Sequence, residues 1–150
     1  MLESIDNAKE ELKRADHLMF VSLKYTRTVD VLKSIVERLI NVFDCGMEAL
    51  LKSKNVKEIP KIPKLKVEAV KKSVSDPSRI APFMDFYLLL RSIDRATFER
   101  TLEYRRHVTM TAHLDDKEIE VDIDIIEDYF HKAKEFIVLV EELTGVKKNE

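Results

Sequence analysis

Residues 8–52 read AKEELKRADHLMFVSLKYTRTVDVLKSIVERLINVFDCGMEALLK, and this stretch decides the fold class. Ile5, Ala8, Leu12, Ala15, Met19 and Leu23 recur at spacings of three and four, the signature of one face of a helix. Leu32, Ile35, Val36, Leu39, Val42, Phe43, Met47, Leu50 and Leu51 form a second stripe, wide enough to touch more than one partner helix. Between them the polar run Lys24 to Thr28 predicts a turn, with Thr26 or Thr28 as N-cap and Asp30 favourably placed against the helix dipole. The expectation is a pair of long antiparallel helices, the first capped by Ser4 and the second central. Gly46 inside the second helix costs about 1 kcal/mol relative to Ala, so a neighbouring backbone should approach closely there.

Working outward, Lys54 to Lys64 contains Pro60 and Pro63 and predicts an extended connector. A short third helix follows, with Leu65, Ala69, Val70 and Val74 inward and Lys64, Lys66, Lys71 and Lys72 outward. Pro82 suits the first turn of a fourth helix through the apolar run FYLLLR. After Asp94 the chain reads RATFERTLEYRRH, the one segment where Arg95, Arg100, Arg105, Arg106 and His107 interleave with Phe98 and Tyr104. Such a mixture suits phosphate and base contacts, or equally a solvated helix with its aromatics turned inward.

From Val108 the period changes to two. Val108, Met110, Ala112 and Leu114, then Ile119, Val121 and Ile123, predict a β-hairpin near residues 108–123. A turn at Asp116-Lys117 pairs Leu114 with Ile119, Ala112 with Val121 and Met110 with Ile123. His113 then stands across from Glu120 and Thr111 across from Asp122. Asp124 and Glu127 predict a capping box for a last helix, whose stripe from Ile126 to Leu143 stops at Gly145. The fold expected is mainly α, an antiparallel four- to five-helix bundle with one small hairpin, in a single domain over residues 1–150.

The bulk numbers agree with that class. The chain has 150 residues, 45% hydrophobic and 36% charged, with two Gly, four Pro and one Cys. This is enough to bury a core without disulfides, and Cys45 falls within an apolar helical pattern. No apolar run suggests a leader or a membrane span, so the expected setting is cytoplasmic. The net charge of -2 gives no global reason to expect nucleic acid. Its distribution is uneven: residues 52–72 hold eight lysines and two glutamates, and residues 115–128 hold eight acidic residues and one lysine.

Gly-rich phosphate loops, CxxC pairs, HExxH and GxSxG are all missing, which removes the common hydrolase and zinc-protease chemistries. Arginine with histidine at short separation remains, as Arg100 with His107 and Arg106 with His113. A guanidinium can hold a scissile phosphate while an imidazole moves a proton, so such a pair can cleave RNA through its own 2′-hydroxyl without a metal. A metal-dependent alternative needs His113, Glu120 and Asp122 to converge. Apart from Lys24, Tyr25 and Arg27 at its turn, the long hairpin carries little chemistry.

The opening hairpin, FYLLLRSIDRATFER and DYFHKAKEFIVLVEELTG together resemble the HEPN superfamily of small helical-bundle proteins. That family carries an arginine, four to six residues and a histidine. The resemblance implies metal-independent RNase activity at a dimer interface, commonly in toxin–antitoxin pairs, with Arg100, Arg106 and His107 as the catalytic candidates. Arg95, Tyr104, Arg105, Lys71 and Lys72 are the expected nucleic-acid contacts. The expected partners are a second copy of the chain, RNA or a nucleotide, and a cognate protein; no cofactor or metal is expected. The alternative expectation is a non-catalytic structural or protein-interaction module.

Overall fold

The computed structural model describes residues 1–146. Five helices pack as a bundle and a three-stranded antiparallel sheet closes one side of it. Helix α1 is built from an α segment Leu2–His17, a π-helical turn Leu18–Ser22 and a closing α turn Leu23–Tyr25. Ala15, Met19 and Leu23 are spaced by fours, which overshoots a 3.6-residue turn. The wider π turn brings them back toward one buried face. The expected cap at Ser4 is not formed. The helix starts at Leu2 without a side-chain cap, and Ser4 is buried, its Oγ accepting from Lys52 Nζ at 3.1 Å.

Helix α2, Val29–Ser53, starts where the capping chemistry predicts, with Thr28 Oγ1 accepting from the Val31 N–H at 3.4 Å. It packs on every other helix, and its expected apolar stripe is buried throughout. Phe43 stacks on Phe136 of the last helix at 4.4 Å between ring centroids. A Cβ placed on Gly46 would lie 2.6 Å from the rim of the Phe136 ring. The close neighbour is therefore an aromatic side chain rather than the expected backbone, and it leaves no room for a Cβ.

Helix α3, Pro63–Ser73, buries Val70 and, just past its end, Val74 as expected, but its start departs from the expected face. Val67 and Val70 are buried with Lys66, while Leu65 is 54% exposed. Lys66 Nζ reaches Asp44 at 3.2 Å, and the same Asp44 oxygen accepts from the Tyr87 hydroxyl at 2.7 Å. Burial and the hydrogen bond to Asp44 push the Tyr87 phenol up from its ordinary pKa, so it stays a donor. At the start of α3 this partly buried ion pair thus takes the inward position that Leu65 was expected to fill. Asp44 is therefore an anchor for two elements of the fold.

Helix α4, Pro77–Arg95, begins five residues before the expected start, because Asp76 caps it by accepting from the Ser78 N–H and Pro77 supplies its first turn. Pro82 is thus inside the helix. The expected hairpin is one half of the sheet: β2 Thr109–His113 pairs with β3 Glu118–Val121. Observed partners are Met110 with Val121, Thr111 with Glu120, Ala112 with Ile119 and His113 with Glu118. The turn sits at Asp115-Asp116, closed by Leu114 N–H donating to Lys117 O at 2.9 Å. Moving the turn by one residue moves every pair by two, so each side chain keeps its expected face.

The third strand, β1 Thr97–Thr101, lies within the arginine segment and was not expected. It pairs with β2 from Thr97 opposite His113 to Thr101 opposite Thr109. Helix α5, Ile123–Thr144, is capped by Asp122, whose Oδ1 accepts from the Ile125 N–H at 2.8 Å. That cap displaces the expected Asp124–Glu127 box and takes Ile123 out of the hairpin. Gly145 ends the helix at φ 75°. Among the described residues, no helix is long and apolar enough to cross a membrane.

Gly46→Ala should destabilise the protein by about 1–3 kcal/mol in urea unfolding despite alanine's better helix propensity. Phe136 is fully buried and stacked on Phe43, so it has no room to swing aside. Unchanged or increased stability would show that this contact is not tight.

Candidate nucleic-acid interface

The site grows from the loop between β1 and β2, residues 102–108. Leu102 and Tyr104 both have positive φ, 53° and 66°. Neither residue type adopts that region cheaply; each such backbone costs on the order of 1–3 kcal/mol and persists only where neighbours fix it. The fixing contacts come from the start of α2. Glu103 Oε2 accepts from the Val29 N–H at 3.3 Å, and the Tyr104 N–H donates to Arg27 O at 2.6 Å. Within the loop, Arg105 N–H donates to Leu102 O and Val108 N–H to Arg105 O.

Arg100 belongs to this clamp. Its guanidinium lies 2.9 Å from Asp30 and 3.6 Å from Glu103, and 5.2 Å above the Phe98 ring. The hydrogen bond from Arg100 to Asp30 raises its pKa further, so the cation is fixed in charge and in place. Both carboxylates stand at the N-terminus of α2, where the helix dipole favours them. Arg100 is thereby a fastener between sheet and helix, with its charge already answered twice.

Among the described residues, the side chains that the clamp holds outward make no ion pairs. Tyr104 is 77% exposed, and Arg105, Arg106 and His107 are exposed beside it. The hydrogen bond to Arg27 O joins this loop to the α1–α2 turn, which displays Lys24 and Tyr25, the latter 79% exposed. Arg27, Arg106 and His107 line a cavity of about 210 Å³ together with Asp122, Ile123 and Asp124 from the start of α5. Arg27 Nε is buried in the structure without a hydrogen-bond partner.

The sequence pairs are re-sorted in space. His107 shares its cavity with Arg27 and Arg106 rather than with Arg100. His113 sits at the other end of β2, its Nδ1 3.1 Å from Glu118 and its Nε2 3.7 Å from Glu99. There it lines a second cavity, of about 390 Å³, with Arg95, Ser92, Asp115 and Asp116. Four strand residues, about 13 Å, separate the two ends of the sheet. His113, Glu120 and Asp122 therefore do not converge, and among the described residues no group of three or more His, Cys, Asp or Glu is arranged to hold a metal.

Lys71 and Lys72 lie elsewhere. Lys66 pins α3 to Asp44, fourteen helical residues from Asp30 or about 21 Å along α2. From α3 the chain continues to Pro77, at the end of the bundle away from the loop. Glu103 is the site residue that the sequence did not single out, and Arg27, Asp122 and Asp124 were noted only as a turn residue, a metal-ligand alternative and a cap, not as neighbours in one site. The basic, aromatic turn KYTR was the available signal for Arg27. Nothing in the sequence joined that turn to residues some seventy-five positions on.

Comparison with known protein families, curated proteins and solved structures finds no match for this chain.

Because Leu102 is half exposed and held at φ 53°, Leu102→Gly should leave thermal stability unchanged or raise it by up to about 1 kcal/mol. Glycine in ordinary backbone costs about that much. A loss above 1 kcal/mol would mean that the loop carries no strain at this position.

Proposed function

We propose that this protein binds single-stranded RNA on the surface formed by the Lys24 to Arg27 turn and the 102–108 loop. The observation that carries the reading is the pair of exposed tyrosines, Tyr25 and Tyr104, set among Lys24, Arg27, Arg105 and Arg106 on a backbone fastened by the Tyr104–Arg27 hydrogen bond. An exposed ring gives an unstacked base a platform, and guanidinium groups track the phosphates between platforms. Duplex RNA offers its bases to neither tyrosine. Charges committed to the fold, such as Arg100, contribute little to this surface.

Within this proposal the chain is HEPN-like, and it binds rather than cleaves. Metal-free cleavage needs an arginine on the scissile phosphate and a histidine free to move a proton beside it. Arg100 is occupied by Asp30 and Glu103, and Arg106 and His107 share their cavity with two carboxylates. That arrangement favours holding a strand over stabilising added negative charge on phosphorus.

Fluorescence anisotropy with a labelled RNA oligonucleotide tests this. Tyr104→Ala should weaken binding by about 1–3 kcal/mol while leaving the salt dependence intact. Replacing Arg105 and Arg106 together by Ala should reduce the slope of log K against log salt by about 1.4, at 0.7 per phosphate contact. Arg95→Ala and Lys72→Ala should change neither, and the RNA should stay intact on a gel. If the Tyr104 and double-arginine variants bind as wild type does, the surface is wrong.

A further inference from the structure

The cavity beside the loop has an unusual charge arrangement. Arg27 and Arg106 come to it from the α1–α2 turn and the β1–β2 loop, and Asp122 and Asp124 come from the first turn of α5. Although cations and carboxylates line one small space, none of these four is within ion-pair distance of another among the described residues, where the nearby Arg100, Asp30 and Glu103 are all paired. Arg27 Nε is buried without an acceptor. One carboxylate is partly spent: Asp122 Oδ1 caps α5 by accepting from Ile125 N–H. Among the described residues Asp124 makes no ion pair or side-chain hydrogen bond. A ligand that completes this site must offer acceptors to the guanidinium groups and donors to a carboxylate.

We infer that the cavity accepts a guanine base of the bound strand, its O6 and N7 facing Arg27 and its N1–H and N2 amino group facing Asp124. The inference rests on the RNA-binding reading above and adds base selectivity to it. Guanine alone among the four bases has two N–H donors side by side on its Watson–Crick edge and two acceptors side by side on its Hoogsteen edge. A guanidinium matches the acceptor edge bidentately, and a carboxylate matches the donor edge in the same way. Adenine and cytosine put an acceptor next to their amino group, which would face Asp124 with like polarity. Uracil offers one donor between two carbonyls.

Size agrees with a single base. At about 210 Å³ the cavity is below the roughly 300–1,000 Å³ of pockets that enclose a whole small molecule, so the sugar and neighbouring nucleotides stay outside. Outside is where Tyr104 and Arg105 stand exposed. One base would be read inside the cavity while its neighbours are held without selection.

The test compares labelled oligoadenylates carrying no substitution, one central guanosine or one central inosine, which lacks the N2 amino group. With the wild-type protein at fixed salt, the guanosine should tighten binding about tenfold and inosine should lose most of that gain. Asp124→Asn should erase the guanosine advantage while binding plain oligoadenylate at least as well as wild type. Circular dichroism is expected to match wild type, because Asp124 is exposed and the α5 cap is Asp122. Equal affinity for all three oligonucleotides would overturn the guanine inference and leave the RNA-binding reading standing. So would a guanosine advantage that survives Asp124→Asn. Failure to bind any of them would overturn the RNA-binding reading, and the inference with it.

Discussion

An α-helix leaves its first backbone N–H groups without intrahelical partners, and at the start of α2 the structure depends on how they are answered. Thr28 takes one from within the turn, and Glu103 takes the Val29 N–H from 74 residues further along the chain. Arg100 braces that carboxylate and Asp30 together. A helix end that must be capped thus fixes the sheet against the bundle. It also decides the path of residues 102–108, because a chain held at Glu103 and again at the Tyr104 N–H reaches both bonds through two residues at positive φ. Local strain there is offset by contacts made elsewhere, the usual condition for such backbone to persist.

The elements legible in the sequence are those whose signal is local and repeated. The α2 stripe follows from spacing over several turns, and a glycine within it signals a close neighbour, although that neighbour is the Phe136 ring rather than a backbone. The alternation in 108–123 likewise shows which side chains face inward, and the register error of two residues leaves that result intact. What was not legible depends on a partner far away in sequence. Strand β1 is almost wholly exposed and has no apolar alternation of its own; it is a strand because β2 offers an open edge. The face of α3 is set by Lys66 meeting Asp44, a contact that overrides the inward position of Leu65. Lysine is seldom buried without a partner, and the partner is invisible until the helices are placed.

The arginine and histidine residues show the same limit in the candidate site. Separation along the chain suggested Arg100 with His107 and Arg106 with His113. A strand with a tight loop at each end sends those residues in different directions, and the histidines finish at opposite ends of the sheet. The arginine segment itself was legible as unusual, and Tyr104, Arg105, Arg106 and His107 do stand out from the surface together. The α1–α2 turn as the other half of that surface was not, because one backbone hydrogen bond at Arg27 O makes the connection.

Charge pairing separates the two kinds of residue more sharply than residue type does. Lys9 with Glu141, Arg38 with Glu11, Lys33 with Asp94, Lys66 with Asp44 and Arg100 with Asp30 each join two different elements of the fold. These charges are answered by the chain itself, and a ligand that competed for them would loosen the bundle. Arg27, Arg106 and Asp124 are not answered in this way, although opposite charges lie in the same cavity. The backbone on either side of them is fixed by the Glu103 and Asp122 caps. Unpaired groups held apart by rigid elements keep their hydrogen-bonding capacity for something that enters between them. If the cavity takes a ligand as proposed, it differs from a structural ion pair in that respect, and the two helix caps flank the space where the difference lies.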